Sequence, residues 1–213
     1  LNSDNRKLLG TEQLDWIESR IINSSAVWTI FGQQVLMAKL KFPDISKMLK
    51  SKEIPSFLKP YLKFLGLGIP SNLDAWDGYP AERNKLYKLM SNAKKGFVSL
   101  AGDTHNSWVS ELKDKSGSKV GIELGTPSVT SPGITDVLNL DEKKFVESIV
   151  KINNELKWMD PSNRGFLSLN CMEDKIIASF NYIKELEEIN SDISSTKSFV
   201  LHREGLELEE IKA

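Results

Sequence analysis

The segment from Pro80 to Ser128 constrains the fold most, because its apolar spacing changes period once and then stays changed. Pro80 suits the first turn of a helix, and Leu86, Leu89 and Met90 recur at helical spacing to form one inward stripe. Gly96 ends that pattern. Three short strand-like runs follow, "FVSLAG", "SWVSELKD" and "KVGIELGTPSVTS", with "KSGS" as the turn joining the last two. A helix with one apolar stripe must bury it against another layer, and these strands are the nearest candidates.

The flanks repeat the theme. "TEQLDWIESRIINSS" predicts a helix with Thr11 as N-cap and Leu14, Ile17, Ile21 and Ile22 on one stripe. "AVWTIFGQQVLM" predicts a buried strand ending near Gly32. Residues 38–72 carry Pro43, Pro55, Pro60 and Pro70 and read as an irregular excursion with short helices. "DEKKFVESIVKINNELKWMD" reads as one amphipathic helix, "GFLSLNCME" and "KIIASFNYI" as a hairpin closed by Glu173 and Asp174, and "SSTKSFVLHREG" as a final short strand. Strand, helix and strand cluster alternate, so the expected class is layered α/β with a mixed sheet.

Charge and composition exclude several functions. Lys plus Arg number 28 against 29 Asp plus Glu, which gives no basic footprint for nucleic acid. No apolar run approaches the roughly 20 residues of a membrane span. The single cysteine, Cys171, rules out an internal disulfide and is expected to be a buried core thiol. His202 is expected at a surface or edge. The chain begins at Leu1, so part of a longer protein is expected upstream.

Chemistry concentrates where "FVSLAG" ends. In "GDTHNSW", Asp103 and His105 flank Thr104 and are followed by Asn106. The carboxyl end of a buried strand projects into the crevice where α/β folds bind ligands. A carboxylate and an imidazole there suit a hard or borderline metal ion. Equally, Asp103 could cap the turn while His105 packs against Trp108. "DAWDGYPAER" adds Trp76, Asp77, Tyr79 and Arg83, with Arg83 free to form a bidentate pair with a phosphate or with Asp77. "ELGTPSVTSPG" ends a strand in hydroxyls, Ser128 among them, that suit an anion or simply solvent.

Together, "LLGTEQLDWI", "WDGYPAER", "LAGDTHNSW", "GIELGTPSVTSPG" and "LKWMDPSNRGF" resemble the carboxyl-terminal half of the PhoD-like alkaline phosphatase family, in the family's order and over most of Leu8 to Phe166. The resemblance implies a metallophosphatase fold, a sandwich of mixed sheets flanked by helices. It implies that residues 1–190 form the carboxyl-terminal half of that domain and 191–213 a terminal extension with a short strand. It further implies a phosphomonoesterase or phosphodiesterase using ferric iron and calcium, with His105 on the iron and Asp103 on the calcium. Trp76, Asp77, Tyr79, Arg83, Asn106 and Ser128 become candidates for binding substrate or supporting the ligands. The implied partners are a phosphate ester and an absent amino-terminal half carrying the other ligands, and the implied location is extracytoplasmic or secreted. Without that half the chain is expected to be inactive; a non-catalytic α/β remnant or interaction module is the alternative.

Overall fold

The computed structural model describes residues 3–50, 60, 70, 72–184, 186 and 192–212. Most of the Pro-rich excursion from Ala38 to Asn72 therefore lies outside the described residues. Two sheets pack face to face. The first has strand order β1-β2-β4-β3-β5, from β1 (Trp28–Gln33), β2 (Gly96–Ala101), β3 (Ser107–Lys113), β4 (Lys119–Gly125) and β5 (Leu156–Asp160). Here β1, β2 and β4 run parallel, whereas β3 is antiparallel to both β4 and β5. The second is antiparallel throughout, in the order β6 (Gly165–Cys171), β7 (Lys175–Ile183), β8 (Ile193–His202) and β9 (Leu208–Ile211).

Between the sheets, Val98, Val109, Ile122 and Leu124 meet Ile176, Phe180, Tyr182 and Phe199 in one buried cluster. Helices cover the other face of the first sheet. α1 (Thr11–Asn23) and α2 (Pro80–Ala93) bring Ile17, Ile21, Leu86, Tyr87 and Met90 onto Phe97, Leu112 and Val120. The short α3 (Ile134–Leu138) and α4 (Glu142–Ile152) lie toward Trp108 and Met159, where Phe145 and Ile149 are fully buried. Burial on both faces explains why β2 and β4 read as nearly continuous apolar runs. The α/β class expected from the alternation is the class observed. Among the described residues no helix is long and apolar enough to cross a membrane.

Several local expectations are corrected. Gly10, not Thr11, occupies the N-cap of α1, with a φ of 80° that glycine adopts freely, and no side chain caps the helix. Ile22 falls one position off the Ile17–Ile21 stripe and is 66% exposed. The segment Asp141–Asp160 is not one helix: α4 stops at Ile152, where the Asn153 side-chain amide donates to the Ile149 carbonyl at 2.8 Å, and Leu156–Asp160 continues as β5. β8 spans ten residues, its polar amino-terminal half exposed and its apolar end buried. Cys171 is exposed at the end of edge strand β6 rather than buried.

Candidate functional site

Because β1, β2 and β4 are parallel, their carboxyl ends share one edge of the sheet, and the segments leaving them converge there. Val35 and Leu36 follow β1, Asp103, Thr104 and Asn106 follow β2, and Pro132 and Gly133 follow β4; all line one cleft of about 590 Å³.

The turn after β2 has an unusual backbone. Asp103 and His105 have φ values of 59° and 58°, the left-handed region that few side chains enter, although Asp and His do so more readily than most. Between them the Thr104 amide donates to the Gly102 carbonyl at 2.7 Å. The Thr104 hydroxyl accepts from the Trp108 indole at 2.8 Å and faces the Asn106 carbonyl at 3.3 Å. Trp108 thus anchors the turn through Thr104. Left-handed geometry costs on the order of 1–2 kcal/mol at each residue, so this packing must hold the turn against relaxation.

That geometry sets the two side chains apart from their neighbours. His105 Nδ1 lies 3.1 Å from the Pro132 carbonyl oxygen. A carbonyl only accepts, so Nδ1 carries a proton, and the tautomer that this contact selects has its lone pair at Nε2. Orienting an imidazole through its second nitrogen is the usual support for a metal-ligating histidine. The Asp103 carboxylate is exposed and accepts no hydrogen bond from the described residues, so all its lone pairs face the cleft or solvent. Donor chemistry at the turn therefore fits an imidazole-preferring ion beside an oxygen-preferring one. Among the described residues no group of three or more His, Cys, Asp or Glu side chains is arranged so that it could hold a metal ion by itself.

Buried Asn106 ties the turn to the next loop. Its Oδ1 accepts the Ile134 amide at 3.1 Å, and its Nδ2 donates to the Thr104 carbonyl. Gly133 passes so close that an added Cβ would sit 2.8 Å from Asn106 Oδ1 and 2.7 Å from the Pro161 carbonyl. Asp136 accepts the Gly133 amide at 2.9 Å and is paired with nearly buried Arg164.

The other candidates stand further back. Asp77 reaches the cleft, but Oδ1 accepts from Arg83 NH1 at 2.7 Å and Oδ2 from the Leu40 amide at 3.0 Å. The Arg83 contact is single rather than bidentate, since NH1 also donates to the Met37 carbonyl at 3.0 Å. Trp76 is fully buried and donates to Gln33 Oε1 at 2.6 Å. Half-buried Tyr79 carries the Arg6 guanidinium over its ring at 5.0 Å. Ser128 donates to the Ser131 carbonyl, and its own carbonyl accepts from the Gly165 amide at 3.0 Å.

Sequence reasoning missed the clasp that forms the cleft's back wall. Five consecutive amides, Met37 to Lys41, donate to side chains borne elsewhere: Met37 and Ala38 to Glu123 at 2.7 and 2.8 Å, Lys39 to Glu155 at 3.0 Å, Leu40 to Asp77 at 3.0 Å and Lys41 to Asn153 at 2.8 Å. Glu123 lies in the buried middle of β4, where burial raises its carboxyl to about 7 against the lowering effect of the Ala38 and Met37 amides and the Ser99 hydroxyl. A lone glutamate inside "VGIELG" was the available signal. A charge embedded in an apolar strand needs partners, and the sequence did not say that those partners are backbone amides.

Comparison with known proteins agrees with this architecture. Residues 1–180 match the family described as PhoD-like phosphatase. Alkaline phosphatase D of Bacillus subtilis (strain 168) is 27% identical over 214 residues, covering 98% of this chain and 32% of that protein. A stretch of 110 residues is 28% identical to part of a probable myosin light chain kinase of Dictyostelium discoideum, covering 52% of this chain and 23% of that one. A solved structure of PhoD superimposes with a TM-score of 0.72 at 25% identity, over 99% of this chain and 36% of that one. The chain thus spans about a third of the length of the phosphatases it matches. On the family match and the shared sandwich, this chain belongs to the PhoD-like phosphatase family.

Proposed function

We propose that the chain contributes the closing pair of metal ligands to a phosphoric ester hydrolase, with His105 binding iron through Nε2 and Asp103 binding calcium. The observation that supports this reading most is the pairing of an imidazole held by the Pro132 carbonyl with a carboxylate that accepts no described hydrogen bond, both in the turn at the carboxyl end of β2, which lies between two parallel neighbours. Bound ions would orient the phosphoryl group and stabilise charge on the departing oxygen. The chain's own residues do the positioning. Trp108 and Thr104 fix the turn, Pro132 fixes the imidazole tautomer, and Asn106 locks the two loops together. A centre built on two protein ligands needs further ligands from beyond the described residues, and the 213-residue chain alone is expected to turn over p-nitrophenyl phosphate negligibly.

The test uses His105→Ala and Asp103→Asn. Titration with calcium is expected to shift the nuclear magnetic resonances of Asp103. Gallium, a redox-silent substitute for ferric iron, is expected to shift the His105 imidazole nitrogens, and each variant loses its own response. Metal responses unchanged in both variants, with only about 1–2 kcal/mol of lost stability, would mean a structural turn and overturn the ligand assignment. Robust metal-dependent hydrolysis by the unmodified chain would overturn the need for outside ligands.

A further inference from the structure

Where the loop after β4 meets the turn after β2, both sides of one peptide group are occupied. The peptide joining Pro132 to Gly133 accepts through its carbonyl from His105 Nδ1 at 3.1 Å and donates through its amide to Asp136 Oδ2 at 2.9 Å. The same Oδ2 also accepts from Arg164 Nη2 in an ion pair. Arg164 is only 6% exposed, and its Nη1 donates to the Ser162 and Asn163 carbonyls at 2.8 and 3.2 Å in the turn between β5 and β6. An unbroken line of hydrogen bonds therefore runs from the imidazole through one peptide to a carboxylate, and on to a guanidinium anchored where the chain passes from one sheet to the other.

Gly133 lets this line form. A Cβ there would lie 2.7 Å from the Pro161 carbonyl, 2.8 Å from Asn106 Oδ1 and 3.0 Å from Arg164 Nη2, so any side chain would push these groups apart. Asp136 lies in the first turn of α3, and an acidic side chain reaching back to the amide ahead of a helix is a common end contact. As a cap alone, any acceptor oxygen would serve. The negative charge does more: it draws on the amide proton and shifts electron density onto the carbonyl of the same peptide, which makes that carbonyl a stronger acceptor for the Nδ1 proton. A carboxylate bonded directly to the second nitrogen of a ligating imidazole fixes its tautomer and raises its basicity. Here a peptide group stands between the two.

We infer that Asp136, held by Arg164, is a positioning residue for His105, acting through the Pro132–Gly133 peptide to keep a proton on Nδ1 and the lone pair on Nε2. Its value for metal binding rests on the reading of His105 as a ligand, but its effect on the imidazole belongs to the metal-free chain and can be measured there. The readout is the ratio of the Nδ1–H to the Nε2–H tautomer, taken from the ring-nitrogen chemical shifts of His105 at about pH 8.5, where an ordinary imidazole is neutral. One hydrogen bond strengthens the next by about 10–30%, and on the full strength of an amide-type bond this corresponds to about two- to twentyfold in population.

Asp136→Asn keeps an oxygen for the Gly133 amide and removes only the charge, so the ratio is expected to fall at least about twofold. Asp136→Ala removes acceptor and charge together and is expected to lower it at least as far. The Asp136 side chain is 52% exposed, so both variants are expected to fold. Asp141→Asn removes the charge of a different capping carboxylate, which accepts the Lys144 amide at 3.3 Å, and is expected to leave the ratio unchanged. A ratio in Asp136→Asn equal to that of the parent, whether or not Asp136→Ala lowers it, would reduce Asp136 to a helix cap and overturn the inference. An equal fall in Asp141→Asn would overturn it as well. Gallium keeps the two readings apart: no shift of His105 in the parent, with a lowered ratio in Asp136→Asn, would defeat the metal assignment and leave the relay standing, whereas a gallium shift with an unchanged ratio would do the reverse.

Discussion

Glu123 makes the stability of this chain depend on pH in an unusual direction. Burial raises its carboxyl from 4.5 to about 7. Between those values the folded chain holds a proton that the unfolded chain has released, so the folded state binds more protons and stability falls as pH rises from about 4.5 to about 7. A difference of about 2.5 in pKa, at about 1.4 kcal/mol for each unit, makes that loss about 3 kcal/mol. The perturbation is Glu123→Gln, which keeps the volume and removes the titration. It offers one oxygen and a nitrogen that only donates where the carboxyl group, protonated or not, keeps two oxygens, so either the Met37 or the Ala38 amide loses its partner, at about 1–3 kcal/mol. The variant should therefore be the weaker protein near pH 4.5, and the two stability curves should converge or cross above pH 7. Urea unfolding at half-unit intervals from pH 4.5 to 8, with unchanged m-values, measures both curves. A variant that kept the slope of the parent, or a parent with no slope in this window, would refute the assignment of the proton to Glu123.

Other outcomes follow from single contacts. Val98→Asp should prevent folding, since Val98 is fully buried between the sheets and the new carboxylate would have no partner; Ile30→Asp, 44% exposed on edge strand β1, should change stability by less than about 1 kcal/mol, and equal effects in a thermal melt would contradict the described core. Gly133→Ala should separate the loop from Asn106, because its methyl group would meet Asn106 Oδ1 and the Pro161 carbonyl; loss of the His105 Nδ1 proton resonance in the folded variant would report this, and an unchanged imidazole spectrum would contradict it. Cys171, exposed on β6, should react with a thiol reagent at the rate of a small-molecule thiol without unfolding, whereas protection until denaturation would restore the buried thiol expected from sequence.

What sequence revealed follows the range of the interaction concerned. Strands β2, β3 and β4 and helix α2 were legible because each carries its periodicity within a few neighbouring residues. The split of Asp141–Asp160 was not: "NELKWMD" continues a helical pattern of apolar residues, and only antiparallel pairing with β3, about 50 residues earlier, draws it into a strand. The length of β8 was hidden for a related reason. "ISSTKS" lacks an apolar face because that half of the strand is largely exposed, and its pairing with β7 carries it. At the turn, residue types marked Asp103 and His105, but the Pro132 carbonyl that orients the imidazole is a backbone atom 27 residues away and leaves no trace in composition.

The clasp on Met37 to Lys41 has a consequence for how this chain tolerates change in length. An irregular connection ordinarily accepts an inserted or deleted residue, because its backbone is hydrated and the slack is taken up locally. Here each amide in turn is matched to an acceptor anchored on a different part of the scaffold: Glu123 on β4, Glu155 just before β5, Asp77 ahead of α2 and Asn153 at the end of α4. Adding or removing one residue shifts every later amide past its acceptor and strands buried carboxylates at several points together. This connection therefore has a fixed count, and tolerated length variation between β1 and α2 is confined to residues outside it.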